Sequence, residues 1–115
     1  MLKSYPAKFS GMGYQVLPIL KFSYDRLDDD TIKSCFLYCS IFPEDHKIWN
    51  KCLIDLWIGE GFLDKFADIY EARNQGNKIT RSLKLACLLE ADVSRDTCKM
   101  HDVIHDIALW LLSHS

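Results

Sequence analysis

Lys99-Met100-His101-Asp102-Val103-Ile104-His105-Asp106-Ile107-Ala108-Leu109-Trp110-Leu111 is the stretch whose reading decides this chain. Two His-Asp pairs stand four residues apart at the entry to an apolar-periodic segment. Met100, Val103, Ile104, Ile107 and Leu111 recur at helical spacing. That period predicts a helix with one buried face, starting at His101 or Asp102 and ending near Leu112. At a helix start the first backbone N–H groups lack intrahelical partners and the macrodipole is positive. An anion such as a phosphate can be held there. The plainer alternative makes Asp102 a helix cap and His101 a surface residue.

Length and composition bound what surrounds this helix. A chain of 115 residues, nearly half apolar and about a quarter charged, supports one domain with a real core. The net charge of −2 supplies no general attraction to nucleic acid or anionic membrane. No apolar run approaches a membrane span. Met1-Leu2-Lys3 leads into polar residues and Pro6, so no secretory leader is expected. Five cysteines cannot all pair internally. Cys35, Cys39 and Cys87 lie in apolar helical surroundings, where cysteine acts as a small hydrophobe, and a reducing, cytoplasmic compartment is expected. Cys98 and His101 are close in sequence, but no paired Cys-x-x-Cys knuckle supports zinc, and no metal ligands are assigned.

Upstream, residues 1–14 contain Pro6, Gly11 and Gly13 and read as a linker or the remnant of a preceding helical subdomain. The domain proper is assigned to 15–115. A first helix is expected over 15–27, with Leu17, Leu20, Tyr24 and Leu27 as its stripe and Pro18 in its first turn. One member of Asp28-Asp29-Asp30 caps a second helix, whose Ile32, Cys35, Phe36, Cys39 and Phe42 follow the helical rule until Pro43. Pro43–His46 is a turn, and Lys47-Ile48-Trp49 a short extended piece. Asn50 is expected to cap a third helix carrying Leu53, Leu56 and Trp57 on one face, ended by Gly59 and Gly61. Ile69, Ala72, Gly76, Ile79, Leu83 and Ala86 predict a longer fourth helix, in which Gly76 marks a kink, a break or a close packing point. Leu88–Asp92 and Thr97–Met100 flank a polar turn, as in a hairpin. The fold class is therefore mainly α: a winged-helix-like helical domain with a small β-hairpin wing and a C-terminal helix.

Four segments together resemble one family. They are Val16-Leu17-Pro18-Ile19-Leu20-Lys21-Phe22-Ser23-Tyr24-Asp25-Arg26-Leu27, Cys35-Phe36-Leu37-Tyr38-Cys39-Ser40-Ile41-Phe42-Pro43-Glu44-Asp45, Leu53-Ile54-Asp55-Leu56-Trp57-Ile58-Gly59-Glu60-Gly61-Phe62 and Met100-His101-Asp102. In that order they resemble the winged-helix subdomain of the NB-ARC nucleotide-binding module in plant leucine-rich-repeat disease resistance proteins of the coiled-coil class. The resemblance covers nearly the whole chain from about Phe9. It implies a regulatory part of an innate immune receptor. ADP between a P-loop domain and the winged helix would hold the receptor closed, and exchange for ATP would release it into a signalling oligomer. His101 would contact the ADP phosphates and Asp102 would support the closed arrangement. His105 and Asp106 match no site of that family.

This chain contains no Gly-x-x-x-x-Gly-Lys-Ser/Thr segment and no Walker-B carboxylate, so no catalytic residue is assigned and no enzymatic activity is expected. ADP or ATP is expected only in the complete module, with the P-loop, helical and leucine-rich-repeat domains as intramolecular partners. Two rival readings remain open. A DNA-binding winged helix would use Arg73, Lys78, Arg81 and Lys84 of the fourth helix on phosphates, although nucleic acid is disfavoured by the net charge. A zinc hydrolase would use His101 and His105 as an analogue of His-Glu-x-x-His, with an aspartate one methylene too short as base and His114 as its only further candidate ligand.

Overall fold

Helix and strand signals convert into structure in the expected order, with the boundaries set by caps. A computed structural model describes residues 20–27, 29–93 and 96–113. Residues 20–25 are helical (α1). There follow α2 (Asp30–Tyr38), a 3-10 turn (Cys39–Ile41), β1 (Ile48–Trp49), α3 (Asn50–Gly59), α4 (Ile69–Leu85), β2 (Glu90–Ala91), β3 (Thr97–Lys99) and α5 (Asp102–Ser113). The linker assigned to 1–14, the start of the first helix with Pro18, and His114 lie outside the described residues.

Asp29 starts α2: its carboxylate accepts the Ile32 amide at 2.9 Å. The second apolar stripe does not stay α-helical to Phe42. After Tyr38 it tightens into the 3-10 turn, which still keeps Cys39 buried. Asp68 starts α4 by accepting the Glu71 amide at 2.8 Å, while the Glu71 carboxylate reaches back to the Ala67 amide at 3.1 Å. Asp68-x-x-Glu71 is close to a capping box, a signal legible in the sequence. Asn50 is not the cap of α3. Trp49 holds that position without a side-chain bond, and the Asn50 amide is satisfied by the Asp96 carbonyl at 2.9 Å. The wing therefore supplies the partner that a cap residue would otherwise provide.

Two helices end in the same way. The Phe62 amide donates to Trp57 and the Gly61 amide to Ile58, a Schellman pair with Gly61 at φ 86°. At the end of α4 the Leu88 amide donates to Leu83 and the Cys87 amide to Lys84. There the left-handed residue is Cys87, at φ 63°. Cys87 is consequently exposed at the helix end, not buried in a helical stripe as the sequence suggested.

The strands form a three-stranded antiparallel sheet in the order β1-β3-β2. The hairpin was expected; its third strand is the short extended piece before α3. Ile48 pairs with Cys98, and Ala91 pairs with Cys98 from the other side. Asp92 organises the wing, bonded by Thr97 Oγ1 at 3.3 Å and facing Lys47 Nζ at 3.2 Å. The Val93 amide first, and Lys47 next, hold its carboxyl below the usual carboxylate range.

The core joins all the helices. Phe36, Leu53, Trp57, Leu83, Leu88, Met100 and Ile107 are fully buried or nearly so. Tyr24 packs its ring on Phe36 at 5.7 Å, and Tyr38 meets Phe62 edge-on at 5.6 Å. Leu56 departs from expectation: it is 39 % exposed, while Ile54 is buried. The reason is Gly76. A Cβ there would lie 2.5 Å from Ile54 Cγ2 and 2.9 Å from Cγ1. The bare backbone of α4 admits Ile54, and this turns α3 so that Leu56 faces outward. Of the three readings of Gly76, close packing is the one realised, since α4 runs through it unbroken.

Two outcomes follow from this packing. Trp57→Ala should cost about 3–5 kcal/mol in denaturant unfolding, as for other large buried aromatics. An unchanged midpoint would contradict the burial of Trp57. Gly76→Ala sets two effects against each other. Helix propensity favours alanine by about 1 kcal/mol, whereas overpacking against a stiff β-branched side chain costs about 1–3 kcal/mol. Net destabilisation is expected, with recovery in the Gly76→Ala/Ile54→Ala double variant relative to Ile54→Ala alone. Stabilisation by Gly76→Ala alone would show that α3 and α4 are not in this contact.

Candidate functional site

His101 is presented by the element before it. Strand β3 is paired on both edges and ends at Lys99. Met100, 2 % exposed, then plugs the core, and its carbonyl accepts the Asp45 amide at 2.9 Å. Asp45 sits at φ 60° in the turn after Pro43. The chain emerges at His101, which is exposed, and α5 begins at the next residue.

His101 itself performs the capping. Its carbonyl accepts the His105 amide at 2.8 Å, and its Nδ1 accepts the Val103 amide at 3.3 Å. Asp102 is thus the first-turn acid of α5 and not its cap, a correction to the plainer reading of the motif. Its carboxylate still matters, because Oδ1 lies 2.8 Å from His101 Nδ1. The two neighbours of Nδ1 ask for opposite states. The amide needs a lone pair there, whereas a carboxylate oxygen is itself only an acceptor. With the lone pair on Nδ1, Nε2 carries the hydrogen and can donate to an acceptor outside the helix.

His101 lines a groove of about 600 Å³ together with Leu20, Lys84, Leu89, Glu90 and Ile104. One wall is apolar. The polar groups include an imidazole, an ammonium and one carboxylate, and Glu90 stands 3.6 Å from Lys99. Such a wall can hold a flat apolar or aromatic group and offer donors to an anion beside it. In the sequence Lys84 belongs to a basic face; in the fold it lines the same groove as His101. The rest of that face is divided. Arg73 lies 3.7 Å from Asp55, and Lys78 and Arg81 are exposed.

The zincin arrangement is not assembled. His105 faces the 3-10 turn, with Nε2 3.0 Å from the Ser40 carbonyl, while His101 engages Val103 and Asp102. Cys98 is fully buried in β3, whereas His101 is exposed, so this pair, close in sequence, does not form a site either.

Residues 41–108 match the family described as the disease resistance protein winged helix domain. The chain belongs to that family. It is similar to three disease resistance proteins of Arabidopsis thaliana: UNI, 51 % identical over 93 % of this chain, SUMM2, 49 % over 98 %, and RPS5, 46 % over 98 %. This winged helix domain spans only 12–13 % of the length of those relatives. Among the described residues, no helix is long and apolar enough to cross a membrane.

The five thiols of the domain are all free and divide into two groups. Cys35, Cys39 and Cys98 are fully buried; Cys52 and Cys87 are exposed. Burial pushes the Cys35 thiol up to about 12 and the Cys39 thiol well above its ordinary value, and it raises Cys98 as well. Buried thiols of this kind are inert. Iodoacetamide should label Cys52 and Cys87 in the native protein and spare the other three, as read by mass analysis; five equally fast labels would refute the core. The raised thiols also fix a pH dependence. Between the ordinary thiol value of 9.0 and about 12, unfolded chains lose protons that folded chains retain. Thermal stability should therefore fall as pH climbs through that window.

Proposed function

We propose that this winged helix domain is the regulatory subdomain of a plant intracellular immune receptor, where it helps hold an ADP-bound autoinhibited state and releases it on exchange for ATP. The observation that carries the reading is the placement of His101: exposed, immediately before the first turn of α5, on the wall of a groove that also contains Lys84. A helix start and two nitrogen donors suit a phosphate. The relatives' names tie the domain to disease resistance.

In this reading His101 donates through Nε2 to a phosphate held mainly by the P-loop domain. Asp102 is a positioning residue: its carboxylate stands 2.8 Å from Nδ1 and restrains the ring. The P-loop, helical and leucine-rich-repeat domains are partners within the same receptor, and other protomers are partners once it opens. A ligand shifts a two-state equilibrium only through its different affinities for the two states. Removing a contact made to ADP in the closed state therefore raises the open population.

The test has two arms. Calorimetry on the 115-residue chain should show negligible ADP affinity, because His101, Lys84 and a helix start do not replace a phosphate-cradling loop. In the full receptor, His101→Ala and Asp102→Val should each cause signalling without pathogen at normal protein levels. Tight ADP binding by the chain alone, or silent variants that fold and accumulate, would overturn the proposal.

A further inference from the structure

The motif pair His105-Asp106 has no part in the nucleotide reading, yet the fold gives it a third companion. An imidazole nitrogen of His105 and one carboxylate oxygen each from Glu44 and Asp106 lie within 4.8 Å of one another. Glu44 comes from the exposed turn after Pro43, sixty residues away along the chain; His105 and Asp106 are half-buried on α5.

The protonation of His105 is set by its neighbour. The Ser40 carbonyl, 3.0 Å from Nε2, can only accept, so Nε2 carries the hydrogen. In the neutral ring Nδ1 is then a lone pair. That atom is buried and meets no hydrogen-bond partner among the described residues. A ring N–H bonded to a backbone carbonyl, with the other nitrogen turned to a metal, is the usual second-shell arrangement of a metal-binding histidine. Beside it stand two carboxylates, which at neutral pH also offer only lone pairs. An imidazole nitrogen and two carboxylate oxygens thus come within ligand distance of one another, and a divalent cation is a species that all three can bind.

We propose that Glu44, His105 and Asp106 form a binding site for one borderline divalent transition-metal ion, zinc being the best match. One imidazole nitrogen with two carboxylate oxygens suits zinc better than magnesium or calcium, which take oxygen-only shells. Zinc holds nitrogen and oxygen ligands at about 2.0–2.2 Å, so in a tetrahedral shell two ligand atoms stand about 3.3–3.6 Å apart. The observed spread closes with a small movement of Glu44, whose side chain is exposed and flexible. Water would complete the tetrahedron. The ion would clamp the second turn of α5 to the segment that carries Asp45, whose amide holds the Met100 carbonyl. Metal would then stiffen the presentation of His101. The site rests on its own geometry and stands or falls independently of nucleotide binding.

The 115-residue chain, stripped with chelator, is titrated with zinc in a calorimeter and with cobalt(II) by absorption. One equivalent should bind, with raised thermal stability, with tetrahedral d–d bands and without a thiolate-to-cobalt charge-transfer band. Magnesium should do nothing. Glu44→Gln is a surface change that leaves the fold intact, and it should weaken zinc binding at least tenfold; His105→Gln should do the same. No zinc binding, unaltered affinity in Glu44→Gln, or a thiolate charge-transfer band pointing to Cys52 or Cys87 would each overturn the site, the last two as adventitious metal only.

Discussion

Strand β3 is bonded along both edges, and the position of everything near His101 depends on that. Ile48 and Trp49 pair with Cys98 and Thr97, about fifty residues later in the chain. A two- or three-residue ladder is marginal by itself. It persists because its central residue, Cys98, lies in the core and because the helices between the paired strands pack on one another. The loop closed by this pairing contains α3 and α4, so the closure entropy is offset by their burial. β3 then hands the chain directly to Met100, and Met100 to α5.

That succession explains why a buried residue and an exposed one can be neighbours at the site. Met100 fills the core, and its carbonyl is fixed by Asp45. His101 then has its own carbonyl and Nδ1 committed to the first turn of α5. The outer edge of the ring is left to face the groove. One turn further along the same helix, His105 reaches the Ser40 carbonyl. Two histidines four residues apart are thus used for different purposes, one at the helix start and one against the 3-10 turn.

The helix ends show how local chemistry and packing share the work. Gly61 takes the left-handed position after α3, as glycine does at least cost. Cys87 takes the equivalent position after α4 although it has a Cβ. The strain, of order 1–2 kcal/mol, is tolerated because the same turn buries Leu88 against the core and directs the chain into β2. This turn also brings Lys84 to the groove.

The sequence by itself determined the kinds of element and their order. Apolar spacing showed the helices, Asp29 was within the acidic triplet read as a cap, and the Met100-His101-Asp102 segment was placed at a helix start. The ordered motifs were enough to point to the disease resistance family. Only the tertiary structure decided the phases and partners. Leu53, Ile54, Leu56 and Trp57 offer almost the same apolar face twice, and it took Gly76 on another helix to select Ile54. Asn50 reads as a cap, and nothing local could anticipate its amide bonded to Asp96 in the wing. Glu44 carries no sign of His105. Periodicity measures a residue against its own helix, whereas close approach between elements, a satisfied amide and a convergence of lone pairs all depend on distances across the fold.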